Sequence, residues 1–339
     1  MQTDWFDGEK RFHMVKWGVL GTAAILDKNT AKAMQAAENC ELLAIAGRNP
    51  QKVDAFKEKH GFQKAYYRFD ELLADPEVQA VYIPLPNAMH AEWTIRALNA
   101  GKHVLCEKPL APSVADAEAM FAAARANGVY LMEAFAYQHS PFIQALCDEI
   151  AAGTIGDVLY VEAQLVSSDS DVSDPRMRRE TLGGAMYDLG VYPASFVQRI
   201  MGEEPQDVHA LATFTDQNVD FHTTAYLEYA NGARATIVCG MDLVREPWTA
   251  IDFFRIYGTK GSIEPVRFAF NAMGPLVYKI RTFDGSLKEK RVVETPNNYQ
   301  LEIEQLGRCI EQGETPAVSE AFSMSHVRTV ERILQAIGY

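Results

Sequence analysis

The chain contains 339 residues, of which 48% are hydrophobic, 23% are charged and 10% are aromatic. This length and composition exclude a small disulfide-stapled scaffold and a disordered protein, and they predict two globular domains or one elaborated domain. Asp and Glu total 45 against 32 Lys and Arg, so the formal net charge is −13. A charge of this sign repels phosphate backbones and anionic lipids, which makes nucleic acids and membranes unfavourable partners.

The cysteines and the distribution of apolar residues favour a cytoplasmic protein. The cysteines are widely spaced and form no C-x-x-C pair, so we expect structural thiols in a reducing compartment: Cys40, Cys106, Cys147, Cys239 and Cys309. No apolar run reaches the roughly 18 residues of a membrane span, and the first residues lack the apolar stretch of a signal peptide. Residues 1–13 are polar, and we expect them to form an N-terminal extension on the surface.

Strand and helix patterns alternate between residues 14 and 134. Short apolar runs predict strands at 15–20, 42–46, 65–67, 80–83, 103–106 and 130–134. Helical patterns fill the intervals, and the longest begins after Ser113 and ends at Gly128. Six strands alternating with helices predict an α/β, Rossmann-type, doubly wound parallel sheet. We therefore expect a dinucleotide-binding domain over 14–134.

Long strand patterns dominate the chain after residue 134. They follow a helix at 141–152 and are separated by turn signals, of which Asn231-Gly232 is the strongest hairpin signal. Two helices at 299–312 and 323–337 complete the chain. This order predicts a C-terminal α+β domain over 135–339, built on a large, mostly antiparallel sheet.

A degenerate form of the glycine-rich dinucleotide motif follows the first strand. In GTAAIL at 21–26, Ala23 replaces the second glycine and Leu26 the third small residue. The backbone amides of Gly21, Thr22, Ala23 and Ile25 at a helix amino terminus can still hold a pyrophosphate. A plain tight turn accounts for these residues equally well.

The second strand ends in a pattern that favours NADP over NAD. An NAD site places an acidic residue here to bind the ribose hydroxyls, whereas this strand ends Ala46-Gly47-Arg48-Asn49. The Arg48 guanidinium can pair with a 2′-phosphate, and Asn49 can donate to the same group. The alternative is an arginine solvated at the end of a strand.

The fourth and fifth strands are also followed by candidate cofactor-binding residues. Pro84, Leu85, Asn87 and His90 follow the fourth strand, where Asn87 or His90 could otherwise cap the next helix. Glu107, Lys108 and Pro109 follow the fifth strand, beside the expected position of a nicotinamide. There Lys108 can hold a substrate oxygen or transfer a proton, although an ordinary ion pair with Glu107 is the alternative.

A glycine pair precedes a second group of candidate residues in LGGAMYDLGVYP at 182–193. Gly183 and Gly184 allow close backbone approach to a ligand or to packed chain. If the following segment is helical, Asp188 and Tyr192 share one face, where they could bind a hydroxylated substrate and exchange a proton. A helix with an unremarkable Tyr and Asp is the alternative.

Two patterns that imitate metal sites are rejected. Residues 169–174 together with Glu180 resemble a calcium loop, but Asp174 occupies the sixth position, where the sharp turn needs glycine. The eight histidines include no H-E-x-x-H or comparable ligand pair. We therefore expect no metal ion.

Six segments in a fixed order resemble a known family: WGVLGTAAI, AGRN, PLPNAMH, GKHVLCEKP, MEAFAY at 132–137 and GGAMYDLGVYP. Together they resemble the glucose-fructose oxidoreductase, inositol dehydrogenase and rhizopine family (Gfo/Idh/MocA), and its dihydrodiol and D-xylose dehydrogenase branch is the most similar. The resemblance covers about residues 14–339. The EKP and GGAxxDxGxYP motifs are specific at this separation, whereas the glycine turn alone is not.

The resemblance implies hydride transfer between nicotinamide C4 and a carbon of a sugar, polyol or diol. It also implies that the domain at 135–339 binds the substrate and that its open sheet forms a homodimer or homotetramer. By motif match, Lys108 is the expected catalytic lysine, Asp188 the substrate-binding carboxylate and Tyr192 the proton-transferring residue. Arg48 matches the 2′-phosphate position of members that use NADP, so NADP(H) is expected ahead of NAD(H).

Some residues depart from the family pattern. Gln138-His139-Ser140-Pro141 stands where the branch has Arg-Phe-His-Pro, so a substrate-side arginine and histidine are missing. The substrate could therefore differ from the diols and pentoses of the branch. Arg176 and Arg178 are either substitute substrate-binding cations or surface arginines.

Three functions are compatible with these residues. An NADP(H)-dependent oxidoreductase is favoured. The alternatives are an NAD-dependent glycoside-cleaving member of the same family and a noncatalytic nucleotide-sensing Rossmann protein. The presence of all three motif residues, Lys108, Asp188 and Tyr192, counts against the noncatalytic protein.

Overall fold

The computed structural model describes residues 14–168, 174–243 and 250–339. The expected N-terminal extension at 1–13 and residues 169–173 of the rejected calcium loop therefore lie outside the described residues.

The first sheet has six parallel strands in the order β3-β2-β1-β4-β5-β6. This is the predicted doubly wound arrangement, in which the strand order reverses between β1 and β4 and leaves a crevice at the carboxyl ends. The strands are β1 (Val15–Leu20), β2 (Cys40–Ala46), β3 (Lys64–Tyr66), β4 (Ala80–Ile83), β5 (His103–Glu107) and β6 (Leu131–Ala134).

Helices cover both faces of this sheet, and local residues set their ends. The Asn49 and Ser113 side chains accept hydrogen bonds from the backbone at the starts of two helices, and Gly61 and Gly128 end them in the left-handed conformation. A π-helical turn, Leu26–Thr30, leads into the first helix. The helices are α1 (Ala31–Ala36), α2 (Pro50–His60), α3 (Phe69–Leu73), α4 (His90–Asn99) and α5 (Val114–Asn127).

The second sheet has eight strands in the order β14-β13-β12-β11-β7-β10-β9-β8. The β7–β10 pair is parallel and the other described pairs are antiparallel, as the turn signals predicted for most of the sheet. The strands are β7 (Val158–Val166), β8 (Asp207–Phe214), β9 (Asp220–Glu228), β10 (Arg234–Gly240), β11 (Ile251–Gly258), β12 (Gly261–Arg267), β13 (Gly274–Thr282) and β14 (Leu287–Thr295).

Four helices connect this sheet to the first one: α6 (Pro141–Ala151), α7 (Val191–Met201), α8 (Asn298–Gln312) and α9 (Glu320–Ile337). Helix α7 packs against β7 and β10, whereas α8 packs against α1 and α9 against α5. The C-terminal helices thus return to the first sheet, and residues from both parts of the chain meet near its carboxyl edge.

The described part of the chain contains no helix long and apolar enough to cross a bilayer. All five cysteines are free thiols, and four of them are buried. Among the described residues, no group of three or more His, Cys, Asp and Glu side chains could hold a metal ion.

Candidate active site

Lys108 contacts a segment 80 residues further along the chain. It follows β5 directly, at the carboxyl edge of the first sheet, where parallel sheets bind their ligands. Its Nζ donates to the Asp188 backbone oxygen at 2.7 Å and to Asp188 Oδ1 at 3.2 Å. The same ammonium lies 4.8 Å from the centroid of the Tyr192 ring. The structure therefore brings Lys108, Asp188 and Tyr192 together.

The glycine pair before Asp188 is required by close packing. A Cβ atom on Gly183 would lie 2.3 Å from the Arg176 carbonyl oxygen. Gly184 has a φ of +108°, and a Cβ there would lie 2.1 Å from Asp220 Oδ1. No side chain fits either position, because Gly183 packs against the backbone of residues 176–178 and Gly184 packs against Asp220.

Asp220 anchors the turn that presents Asp188. Its carboxylate is completely buried and accepts from the Met186 backbone at 2.7 Å and from Thr223 Oγ1 at 2.7 Å. Residues Met186–Gly190 then form a π-helical turn before α7 begins. Such turns are common at functional sites because the extra residue changes the direction of side chains. Sequence reasoning missed Asp220, which has no neighbouring motif.

Tyr192 is enclosed by aromatic rings, with Phe135 at 6.1 Å and Phe270 at 5.3 Å between centroids. Burial raises the pKa of the Tyr192 phenol, and the nearby carboxyls of Glu107 and Asp188 raise it further. A hydrogen bond with the Asn271 side chain opposes this shift. The phenol is therefore protonated near neutral pH and can donate a proton or a hydrogen bond. Asn271, in the turn between β12 and β13, was also missed from the sequence.

The two arginines proposed as alternative cations differ in their contacts. Arg176 Nη1 lies 3.3 Å from Asp188 Oδ2, and the same guanidinium pairs with Asp174 at 2.9 Å. Asp188 therefore lies between Lys108 and Arg176. The Arg178 side chain is exposed, and its backbone carbonyl accepts from the Gly183 amide.

The turn after β1 needs glycine at its first residue. Gly21 has a φ of +112°, and a Cβ there would lie 3.1 Å from the Leu85 side chain. Thr22, Ala23 and Ile25 follow it and are partly exposed. Leu26 is completely buried, so its side chain fills the protein core. This departure from the usual small residue therefore does not place a larger side chain at the exposed part of the turn. The residues present fit a dinucleotide at this edge.

The end of β2 has no room for an acidic side chain. Gly47 is buried, and a Cβ there would lie 2.8 Å from Val53 Cγ2. Arg48 and Asn49 are exposed beside it. Asn49 Oδ1 accepts from the Lys52 amide as the cap of α2, so this bond does not use the donors of its amide nitrogen.

Residues 84–90 link the two parts of the chain. Asn87 Nδ2 donates to the Leu182 carbonyl at 2.8 Å, next to the glycine pair. His90 is completely buried, and its ring nitrogens each lie 2.7 Å from a backbone carbonyl, those of Pro109 and Leu85. His90 therefore contacts the backbone of two loops from within the core, and its direct contact with a cofactor stays a prediction.

Glu107 points toward the first helix. Its Oε1 accepts from the Tyr82 hydroxyl at 2.6 Å, and that hydroxyl lies 3.2 Å from Thr30 Oγ1. Burial raises the pKa of the Glu107 carboxyl, although Tyr82 and Lys108 favour its charged form. The alternative, an ion pair between Glu107 and Lys108, is not formed, because Lys108 pairs with Asp188 instead.

Two further buried polar residues were missed on α8. Asn298 and Glu302 are 1% and 0% exposed, and their side-chain oxygens and nitrogen have no hydrogen-bond partner in the described chain. Burial, with the charge of Glu107, raises the pKa of Glu302 well above its usual range. Polar residues four apart on the buried face of a helix were the available sequence signal.

The residues that depart from the family pattern lie in the core. Gln138 is 7% exposed, donates to the Tyr137 hydroxyl at 2.6 Å and accepts from Arg199 Nε at 2.8 Å. His139 is half-buried, and desolvation lowers its pKa to about 3. Gln138 supports the site through Tyr137, whose ring lies 5.9 Å from that of Tyr192.

Family models match most of the chain. Residues 15–135 match the model described as "Oxidoreductase family, NAD-binding Rossmann fold", and residues 143–264 match the "GFO/IDH/MocA C-terminal domain".

Similar proteins span nearly the whole chain. A D-xylose 1-dehydrogenase (NADP(+)) of Haloferax volcanii is 36% identical over 94% of this chain and 96% of its own length. A trans-1,2-dihydrobenzene-1,2-diol dehydrogenase of Xenopus laevis is 30% identical over 95% and 98%. The crystal structure of a 3-ketoreductase from Actinomadura kijaniata, in complex with NADP and TDP-benzene, has a TM-score of 0.88 at 29% identity, covering 96% and 98%.

Proposed function

Because the chain belongs to the Gfo/Idh/MocA oxidoreductase family, we propose that it is an NADP(H)-dependent dehydrogenase or reductase of sugars, polyols or diols. The proposal rests most directly on one observation. The Lys108 ammonium lies between Asp188 and the face of the Tyr192 ring, at the carboxyl edge of the dinucleotide-binding sheet. An ammonium, a carboxylate and a neutral phenol can together bind the oxygens of a substrate whose reacting carbon is oxidised from an alcohol to a carbonyl, or reduced in the reverse direction.

The cofactor would extend along the carboxyl edge of the first sheet. Amides of the Gly21 turn would hold its pyrophosphate, and Arg48 would pair with a 2′-phosphate that no carboxylate at position 47 repels. Pro109 and Leu85 lie on the side where the nicotinamide end is expected. A bound nicotinamide supplies or accepts the hydride.

The residues around Lys108 would orient the substrate and move its proton. Lys108 would hold the reacting oxygen, exchanging its contact with the Asp188 carbonyl for the substrate. Tyr192 would donate the proton to a forming alcohol, or receive it when an alcohol is oxidised. Asp188, which Arg176 also contacts, would accept from a neighbouring hydroxyl of the substrate.

The named relatives agree with this substrate class. Two of the printed names specify the substrate, which is D-xylose in one and a 1,2-diol in the other, and the third specifies reduction of a 3-keto group. In all three, the name implies a substrate with a hydroxyl or carbonyl oxygen on the reacting carbon. Two of them also name NADP. These facts favour a hydroxylated substrate and a 2′-phosphorylated cofactor here.

A spectrophotometric screen tests the proposal. Purified protein is mixed with NADP, NAD or their reduced forms and with sugars, polyols, diols and their keto forms, and absorbance is followed at 340 nm. We expect turnover that prefers NADP(H) and is lost in Lys108→Met. Cleavage of glycosides without net absorbance change would instead identify a glycoside-cleaving enzyme. Cofactor binding without any turnover would identify a nucleotide-sensing protein.

We also propose that two or four copies associate through the outer face of the second sheet, in the cytoplasm. Along β7 and β11, alternate residues are buried against α7, while Tyr160, Phe253 and Tyr257 face outward and are only half-buried. The Tyr160 and Tyr257 rings lie 5.9 Å apart. An aromatic surface of this kind is typical of an interface core.

A further inference from the structure

A buried carboxyl lies behind the loop that carries Lys108. Glu133, in β6, is completely buried. Its Oε1 accepts from the Leu110 amide at 3.0 Å, and its Oε2 accepts from Ser323 Oγ, on α9, at 2.8 Å. Glu133 therefore ties the residue two positions after Lys108 to a helix from the other end of the chain.

The Lys108 loop is held by buried side chains at two successive residues. His90 contacts the carbonyl oxygen of Pro109 at 2.7 Å, and Glu133 accepts from the amide of Leu110. Leu110 itself is completely buried. These two contacts hold the backbone from which the Lys108 side chain reaches Asp188.

His326 backs Glu133 but does not pair with it. The His326 ring is 1% exposed, its Nδ1 lies 3.9 Å from Glu133 Oε1, and neither ring nitrogen has a hydrogen-bond partner among the described residues. A separation of 3.9 Å is too long for a direct hydrogen bond. Burial lowers the pKa of His326 to about 4, so the ring is neutral when Glu133 ionises.

The other charged groups near Glu133 come from two elements. Glu107 and Lys108 act on it from the end of β5, with opposite signs. Glu331 of α9 and Tyr187 line the same small cavity as Glu133 and His326. Glu331 Oε1 accepts a hydrogen bond from the Val114 amide, and the Tyr187 hydroxyl donates one to the Pro112 carbonyl.

We propose that Glu133 is a positioning residue whose carboxylate form holds the Lys108 loop in its reactive arrangement. This inference rests on the proposed oxidoreductase function. As a carboxylate, Glu133 accepts from the Leu110 amide and from Ser323 together. A proton on it weakens at least one of these contacts and removes the negative charge behind the lysine.

Burial makes this change of charge relevant near neutral pH. It raises the pKa of Glu133 to about 7, while Ser323, the Leu110 amide and Lys108 all favour the charged form. We therefore expect kcat to rise with pH through about 7. Replacing Ser323 by Ala removes a hydrogen-bond donor to the carboxylate. The rise of kcat with pH, which we call the kcat limb, should therefore move to higher pH.

The kinetic test compares two serines on the same helix. Ser323→Ala loses the contact with Glu133, whereas Ser325→Ala is a matched control because Ser325 Oγ is buried without a described partner. We expect Ser323→Ala to shift the kcat limb upward by half a pH unit or more and Ser325→Ala to leave it in place. Glu133→Gln, which cannot ionise, should lack this limb. Identical profiles for the two serine variants would overturn the proposal.

Amide hydrogen exchange gives a readout that does not need turnover. Prolines at 109 and 112 leave only Lys108, Leu110 and Ala111 with amide hydrogens in 108–112. After correction for the intrinsic pH dependence of exchange, protection of Leu110 in the wild-type protein should increase several-fold from pH 6 to pH 8. Glu133→Gln should abolish this increase. Equal protection at both pH values would reject the role of Glu133, whereas normal exchange behaviour in a protein without turnover would reject only the oxidoreductase function.

Discussion

The Lys108 ammonium lies 2.7 Å from the backbone oxygen and 3.2 Å from the carboxylate of Asp188, a residue in the other part of the chain. This contact joins the end of a parallel strand to the π-helical turn that precedes α7. Neither residue is fully buried, with exposed side-chain fractions of 13% and 17%. The pair is therefore held in place and still reachable by a small molecule.

Replacement of Lys108 tests whether this contact serves the chemistry. Lys108→Met keeps the length of the side chain but removes its charge and its hydrogen-bond donors. We expect kcat to fall by about 100- to 10,000-fold while the Kd for NADPH, measured by fluorescence titration, changes little. Lys260→Met, in an exposed turn of the second sheet, is the charge-matched control. A parallel loss of cofactor binding would assign Lys108 to the cofactor instead.

Replacement of Arg48 tests the choice of cofactor. Arg48→Ala removes a cation from the exposed end of β2, and a charge-assisted hydrogen bond contributes about 1.5–3 kcal/mol. We expect the KM for NADPH to rise by about 10-fold or more while the KM for NADH stays within about twofold. Arg234→Ala, at the start of β10, controls for net charge. Equal effects on both cofactors would exclude pairing of Arg48 with a 2′-phosphate.

The packing of Gly47 predicts how cofactor preference could be reversed. A Cβ at this position would lie 2.8 Å from Val53 Cγ2, so Gly47→Asp alone should destabilise the fold by about 1–3 kcal/mol. Val53→Ala removes the obstructing methyl group. We expect Gly47→Asp with Val53→Ala to fold better than Gly47→Asp and to favour NADH over NADPH. Urea denaturation and kinetics with both cofactors measure the two effects, and Val53→Ala alone is the control.

Sequence patterns predicted both sheets because the strands that carry the core are apolar. Val15–Leu20 and Ala80–Ile83 were located to the residue. β14 (Leu287–Thr295) was missed because it is an edge strand whose residues are mostly charged and exposed, so it carries little hydrophobic pattern.

The candidate site was predictable only where motifs mark it. Lys108, Asp188 and Tyr192 lie in glycine- or proline-containing segments that can be recognised in one sequence. Glu133 lies in the MEAFAY segment, but no pattern there indicates its contact with Leu110, and Asp220 contacts Met186 without a neighbouring motif. Contacts of this kind are defined by packing in three dimensions, and spacing along the chain does not reveal them.

A charged substitution on the outer face of the second sheet tests whether this face is the interface between copies. Phe253 projects from the middle of β11, opposite to the buried Phe254, so a charge at 253 should leave the core intact. We expect Phe253→Lys to shift the protein to a smaller species in light scattering, with circular dichroism unchanged. Gln51→Lys, which adds the same charge on the exposed side of α2 away from the second sheet, serves as a control. An unchanged mass for Phe253→Lys would argue against this face as the interface.

The buried position of Glu133 also predicts how stability depends on pH. Burial raises its pKa from about 4.5 in the unfolded chain to about 7 in the folded protein. Between these values the folded state binds more protons than the unfolded state, so the free energy of unfolding falls as pH rises. A shift of this size corresponds to about 3 kcal/mol at most. Glu133→Gln should flatten this part of the pH dependence in urea denaturation between pH 5 and 8, whereas Glu118→Gln, on the exposed face of α5, should not. If Glu133→Gln and the wild-type protein lose stability in parallel over this range, Glu133 is not the group that titrates.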